Sequence, residues 1–183
     1  MARIYTKNGD NGSTFLLFGE KVAKNDIRVE CYGTIDECIS FLGLAYSVST
    51  EKNISEIIIK IQRNLFILST EIACPKEKYN RLKTKYKTTK KTMIDQLEKS
   101  IDKYQKLIPE INYFVLPGSS ELSSYIDISR TICRRAERIA VSIENMNLLN
   151  NKMILSYLNR LSDLLYTLAR YVDREKEYLK ATE

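Results

Sequence analysis

From Thr34 onward, apolar residues recur every three or four positions, and turn-prone stretches cut this pattern into five predicted helices. The first opens at Thr34-Ile-Asp36-Glu37, which has the form of a capping box, and carries Ile35, Cys38, Ile39, Leu42, Ala45 and Tyr46 on its inner side. The second runs from about Ser55 to Cys74 on Ile57, Ile58, Ile61, Leu65, Leu68 and Ile72, with Pro75 as its stop. A third, about Thr92 to Leu107, turns Met93, Leu97, Ile101 and Tyr104 inward. The fourth spans about Ser120 to Asn145 and buries Ile132, Ala136, Ile139, Ala140 and Ile143. The fifth, about Asn151 to Lys180, sets Ile154, Leu158, Leu161, Leu165, Leu168 and Val172 against a polar stripe of Asn159, Asp163, Tyr166 and Arg170. Residues 1–33 lack helical periodicity and read as a loop-rich arm. The expectation is an all-α, five-helix up-and-down bundle carrying that arm, one domain over 1–183.

Composition narrows the chemistry. At 183 residues, 44% hydrophobic and 28% charged, the chain is long enough to bury a core and too apolar for disorder. No apolar run approaches a membrane span and no signal-peptide core opens the chain, so a cytoplasmic protein with no membrane partner is expected. There is no histidine, and Cys31, Cys38, Cys74 and Cys133 have no metal-ligand spacing. A zinc site, a histidine base and a Ser-His-Asp triad are thereby set aside, and the cysteines read as small core residues. The net charge of +6 favours an anionic ligand.

Three places could meet that anion. On a helix, Arg130, Arg134 and Arg138 fall on one stripe at i, i+4 and i+8, with Glu137 beside them and Asp127 on the same side. Crowded guanidiniums suit a polyanion, whose oxygens match their planar fork, although for such a run alone a solvated stripe is the more ordinary origin. The arm holds Thr6-Lys7-Asn8-Gly9-Asp10-Asn11-Gly12-Ser13-Thr14, whose glycines and amides could wrap phosphates or simply form a surface turn. Residues 76–91 are almost all basic or polar. They read as a mobile or solvated connection, with interleaved tyrosines leaving a minor case for RNA. Asp36 sits where a helix dipole favours an anion, and Phe114, in the apolar turn Asn112 to Gly118, reads as a core plug.

Taken together, three segments resemble the trimeric, helical-bundle ATP:cob(I)alamin adenosyltransferases. The first is Ile4-Tyr-Thr-Lys-Asn-Gly-Asp-Asn-Gly12, continuing through Lys24 and Arg28-Val-Glu to Tyr32-Gly-Thr-Ile-Asp-Glu37. The second is Phe114-Val-Leu-Pro-Gly118 followed by Arg130-Thr-Ile-Cys-Arg-Arg-Ala-Glu-Arg138. The third is Tyr157-Leu-Asn-Arg-Leu-Ser-Asp163. The likeness covers most of the chain apart from about residues 75–110.

The resemblance implies transfer of the 5′-deoxyadenosyl group of ATP to the cobalt of cob(I)alamin, giving adenosylcobalamin and triphosphate. It implies ATP contacts from Thr6, Lys7, Asn8, Gly9, Thr14 and Lys24 in the arm, and from Arg134, Arg135, Glu137, Arg138 and Asn159 on the helices. Lys24, Arg134, Glu137 and Arg138 would serve the transfer itself, with Glu137 near Mg²⁺. Phe114 would press on the cobalamin face. An ion pair between Asp36 and Arg130 would join neighbouring subunits of a homotrimer whose sites lie between chains. A reductase or a cobalamin-dependent enzyme would be a further partner, while nucleic acid is not expected. The chain departs from the pattern at Asp127, where many members have histidine, at Asn8 for a common threonine, and at Ser119 for a second glycine. Two other readings compete: an ATP- or cobalamin-binding regulator or carrier without catalysis, and an RNA-binding helical protein.

Overall fold

The structure is a computed structural model and describes Tyr5, Lys7 and residues 9–182. The described part of the arm is a hairpin: β1 (Ser13–Phe15) pairs antiparallel with β2 (Lys21–Ala23), Thr14 standing opposite Val22. Helix α1 (Ile27–Val48) follows almost at once. It starts seven residues before the expected capping box, because Asp26 makes the cap instead. The Asp26 carboxylate accepts from the Arg28 amide at 2.8 Å, and the Arg28 guanidinium folds back onto Asp26 at 2.9 Å and Glu20 at 3.2 Å. Thr34 is therefore inside the helix, where its hydroxyl donates to the Glu30 carbonyl at 2.9 Å. The 1–33 arm is helical from residue 27 on.

Helix α2 (Lys52–Ile72) returns alongside α1 and buries Ile54, Ile58, Ile61, Leu65 and Leu68 completely or nearly so. Each such side chain removed from water contributes about 1.5–3 kcal/mol. The basic stretch then folds. A 3₁₀ turn (Lys76–Lys78) leads into α3 (Tyr79–Lys85), a helix beyond the five expected, with Leu82 fully buried. Helix α4 (Lys91–Gln105) precedes an extended segment. Helix α5 (Glu121–Asn145) starts from a reciprocal cap in which Ser120 and Ser123 each accept from the other's amide at 3.1 Å. Helix α6 (Met153–Val172) ends earlier than the expected residue 180. Past Asp173 the chain turns back, and Lys180 bridges Val115 in an antiparallel pair.

Neighbouring helices follow the order α2, α1, α5, α6, α4, and a small crevice lined by Ile57, Asn64, Met93 and Leu97 brings α4 back against α2. One buried cluster draws on all five of these helices. Cysteines supply part of the helix contacts: Cys31, Cys38 and Cys133 donate to the carbonyls of Ala136, Ser129 and Leu158. All four cysteines are free and buried, as expected of core residues. Among the described residues no helix is long and apolar enough to cross a membrane.

Candidate functional site

The arm is anchored at one end of the helices. The Leu17 amide donates to the Ala73 carbonyl just past α2 at 2.9 Å, and Asn150, between α5 and α6, donates to the Cys74 carbonyl at 2.7 Å. Its open loop is shaped by Gly12, whose φ of +76° is a left-handed conformation that side chains strain to adopt. The Lys24 amide donates to the Gly12 carbonyl at 2.9 Å, and the Lys24 ammonium lies 3.2 Å from where a Cβ on Gly9 would stand. Gly9, Lys24 and the exposed Lys7 are thus drawn to one loop, with Thr14 in the strand that leaves it. Thr6 and Asn8 lie outside the described residues.

Helix α5 presents the arginines. Arg134 and Arg138 are exposed and make no ion pair among the described residues. They occupy the half of α5 near the arm, since Ala136 faces Cys31 in the second turn of α1. Glu137, beside them, accepts from Asn159 of α6 at 3.1 Å, which unites two expected site residues from separate helices. Arg135 points elsewhere and is ion-paired with Glu37 of α1.

Arg130 takes a different role from its two followers. Its Nε donates at 2.9 Å to Asp127, whose other oxygen accepts from Arg170 of α6. Asp127 and Arg170 are 4% and 3% exposed, so this pair is sealed in the protein. Arg170 was expected on the same wet stripe as Asn159, Asp163 and Tyr166; those three are exposed, while Arg170 reaches inward to the carboxylate. Asp36 is exposed on α1 and pairs with nothing among the described residues.

Phe114 is 84% exposed, which overturns its reading as a core plug. The backbone explains why. The Ala181 amide donates to the Phe114 carbonyl, and the Leu116 amide to the Leu179 carbonyl, both at 2.8 Å. Tyr178, 6% exposed, donates its hydroxyl to the Arg170 carbonyl at 2.6 Å and seats the returning tail. A buried network starting at Asp127 therefore ends under the backbone that displays Phe114. Nothing in the residue pattern signals this tail, because Tyr178, which seats it, stands in a run of charged residues. Pro117 and Gly118 lean over Ile128, Arg130 and Thr131 in an open cleft of about 230 Å³. A larger groove, about 700 Å³, lies between Ile108, Glu110 and the α6 residues Arg160, Asp163 and Tyr166, but contains neither arm nor α5 arginine residues. The arm and α5 residues expected to form the site lie outside that larger depression.

The order along α5 is thus an exposed aromatic and a cleft near its start, Arg130, then Arg134 and Arg138 toward the arm. Residues 4–172 match the model of the cobalamin adenosyltransferase family. The chain belongs to that family. It is 38% identical over 170 residues to a corrinoid adenosyltransferase of Citrobacter freundii, covering 93% of this chain and 94% of the relative. It is also 38% identical over 185 residues to the human corrinoid adenosyltransferase MMAB, covering 97% and 74% respectively. Its fold superposes on a variant of the PduO-type ATP:corrinoid adenosyltransferase from Lactobacillus reuteri, solved in complex with cobalamin and ATP, with a TM-score of 0.91 at 32% identity, covering 99% of this chain and 97% of that one.

Metal ligation fits a limited role. Among the described residues there is no cluster of three or more His, Cys, Asp or Glu side chains able to hold an ion. Glu137 is a lone carboxylate beside the arginines, so these residues could supply at most one protein ligand to a Mg²⁺, which would keep most of its own water.

Proposed function

We propose that this chain transfers the 5′-deoxyadenosyl group of MgATP to the cobalt of a reduced corrinoid, cob(I)alamin, releasing triphosphate. The observation that carries the reading is the pair of outward guanidiniums of Arg134 and Arg138 at the arm's end of α5, unneutralised among the described residues. In the reaction, cobalt donates an electron pair to C5′, a cobalt–carbon bond forms, and the C5′–O bond breaks with its electrons leaving on triphosphate. Reduced cobalt is the nucleophile, so the protein needs no base, in keeping with a sequence without histidine. Its work is to align the reactants and to stabilise charge growing on the departing oxygen. Lys7, Gly9, Thr14 and Lys24, with Thr6 and Asn8, would grip the phosphates from the arm. Arg134, Glu137, Arg138 and Asn159 would face them from the helices, and Arg135 would support through Glu37. Eight residues of α5 separate Arg130 from Arg138, about 12 Å of rise. That spacing suits a corrinoid packed on Phe114 at one end and a triphosphate at the other.

The open 230 Å³ cleft is a ledge and does not enclose a corrinoid. This supports a site completed by a second subunit, in a homotrimeric bundle of the ferritin-like kind formed by the whole chain. Arg130 spends its Nε on Asp127, and its remaining nitrogens would meet Asp36 of a neighbouring subunit. Such an enzyme would work in the cytoplasm with a reductase upstream and a cobalamin-dependent enzyme downstream.

The test is incubation with ATP, Mg²⁺ and chemically reduced cobalamin, following the cobalt–carbon product by its absorbance. Arg134→Ala should lower turnover by about 10²–10³-fold, the loss typical of one donor to a developing anion, with helix content unchanged. Unaltered turnover in that variant would refute the assignment.

A further inference from the structure

The chain's positive charge is concentrated in one place. Between residues 76 and 91 stand eight Lys or Arg and one Glu, a balance of +7, whereas the rest of the chain holds 21 basic and 22 acidic residues, a balance of −1. The net +6 of the protein therefore arises in this segment, with the rest of the chain close to neutral.

The segment is built, not loose. Glu71 of α2 is fully buried, and its carboxylate accepts from the Tyr79 hydroxyl at 2.7 Å, the Thr89 amide at 2.5 Å and the Asn151 side chain at 3.0 Å. Tyr79 begins α3 and Thr89 lies just before α4, so one carboxylate staples both ends of the stretch. Burying a carboxylate with only neutral donors is costly, and here it fixes the backbone that carries the lysines. Leu82 plugs the underside. Lys83, Lys85, Lys87 and Lys90 project from this frame, exposed and without ion-pair partners among the described residues.

This patch is separate from the phosphate loop. It touches the arm at Phe18, where Lys78 donates to the carbonyl at 3.2 Å and the Arg81 guanidinium covers the ring at 4.5 Å. Phe18 is in the closed turn of the hairpin, whereas Gly12 and Lys24 are at its open end. With strands rising about 3.3 Å per residue, the separation is roughly 15 Å, beyond a physiological screening length of about 8 Å.

We propose that this platform is a docking surface for an acidic protein face, one bearing clustered Asp and Glu side chains. Two other polyanions fit less well. Single-stranded nucleic acid is held by stacking on several free aromatic faces, but here Tyr86, 46% exposed, stands alone: Phe18 lies under the Arg81 guanidinium and the Tyr79 ring is covered by Lys83 at 5.3 Å. A lipid surface needs an outward apolar face, and α3 spends its Leu82 on the core. The cations are nearly all lysine, point charges that meet scattered carboxylates as readily as phosphate and lack the bidentate fork. The pattern gives steering and orientation of a protein encounter, with affinity that falls as salt rises.

The test compares the parent chain with a variant carrying Lys83→Gln, Lys85→Gln, Lys87→Gln and Lys90→Gln. Binding is measured at physiological ionic strength to a poly-glutamate peptide, to single-stranded RNA and duplex DNA of equal charge, and to vesicles containing phosphatidylserine. The wild-type chain should bind the peptide at least as tightly as the nucleic acids or vesicles. The variant should bind it at least tenfold more weakly with a shallower salt dependence, while keeping its helix content, kcat and KM for ATP. Preference for nucleic acid or vesicles, no binding to the peptide, equal binding by the variant, or a raised KM for ATP would each overturn the proposal.

Discussion

Replacing Asp127 with alanine tests the sealed ion pair directly. The substitution strands the Arg170 guanidinium, 3% exposed, with no carboxylate and with its Nε already unpartnered. Removing one member of a buried pair costs about 3–5 kcal/mol, because the remaining charge stays out of water. Arg130 adds little to that figure, since a quarter of its side chain is exposed and water can replace its lost partner. For a chain of this length, each kcal/mol lowers Tm by about 2–4 °C, so the variant should melt roughly 6–20 °C below the parent. Urea unfolding should give the same loss with an unchanged m-value. The decisive comparison is Asp127→Leu with Arg170→Met, which removes both charges and keeps the volume. If the cost is that of an orphaned cation, the double variant should recover most of the loss. A single variant within about 1 kcal/mol of the parent, or a double variant no better than the single, would refute the burial reasoning.

Other perturbations follow from the same structure. Deleting residues 176–182 removes the returning tail that braces Phe114; equilibrium titrations should show cobalamin binding weakened by about tenfold, or 1.4 kcal/mol, with ATP binding unchanged. Glu71→Ala leaves the Tyr79 hydroxyl, the Thr89 amide and Asn151 without their acceptor, at about 1–3 kcal/mol, and trypsin should then cut between Lys83 and Lys90 well before the helices. Asp26→Ala should cost about 1 kcal/mol at neutral pH by loss of the α1 cap. The Arg28 guanidinium holds the Asp26 carboxyl below its ordinary value, so this contribution is complete above the unfolded carboxylate range and is lost as pH falls through the lower folded value. The stability gap between parent and variant should accordingly close at acid pH. Burial pushes the Cys31 and Cys38 thiols up to about 12 and Cys74 to about 11, so thiol reagents near neutral pH should label these residues only after unfolding.

Much of the helical frame was legible because burial enforces the period. The interiors of α2, α4 and α5 stand close to where apolar spacing predicts them, and Ser120 is a local, self-sufficient start signal. Thr34 misled for the converse reason. A Thr-x-x-Glu string is a cap only if the preceding backbone is free to leave the helix. Here Cys31, Thr34 and Ile35 are all buried against the core, and that packing carries the helix through the exposed Gly33 back to Asp26. At the other end, α6 had no Pro or Gly to mark its stop, and the turn at Asp173 depends on contacts with a segment more than fifty residues earlier.

What spacing could not reveal was which charges are spent inside the protein. Arg130, Arg134 and Arg138 are equivalent on a helical wheel, yet a carboxylate one turn earlier and an arginine from α6 take the first inward and leave the other two outward. Glu71 shows the same blindness from the other side. It falls next to Leu68 and Ile72 on the apolar stripe of α2, and a carboxylate there can persist only if donors converge on it. Two of those donors, Tyr79 and Thr89, lie in a stretch whose lysines argue for a solvated linker. A charged residue placed on a buried stripe was therefore the available sign that the neighbouring basic segment folds. Reading the stripe for its exception, rather than its rule, would have led from Glu71 to Tyr79 and Thr89 and so to the platform they hold.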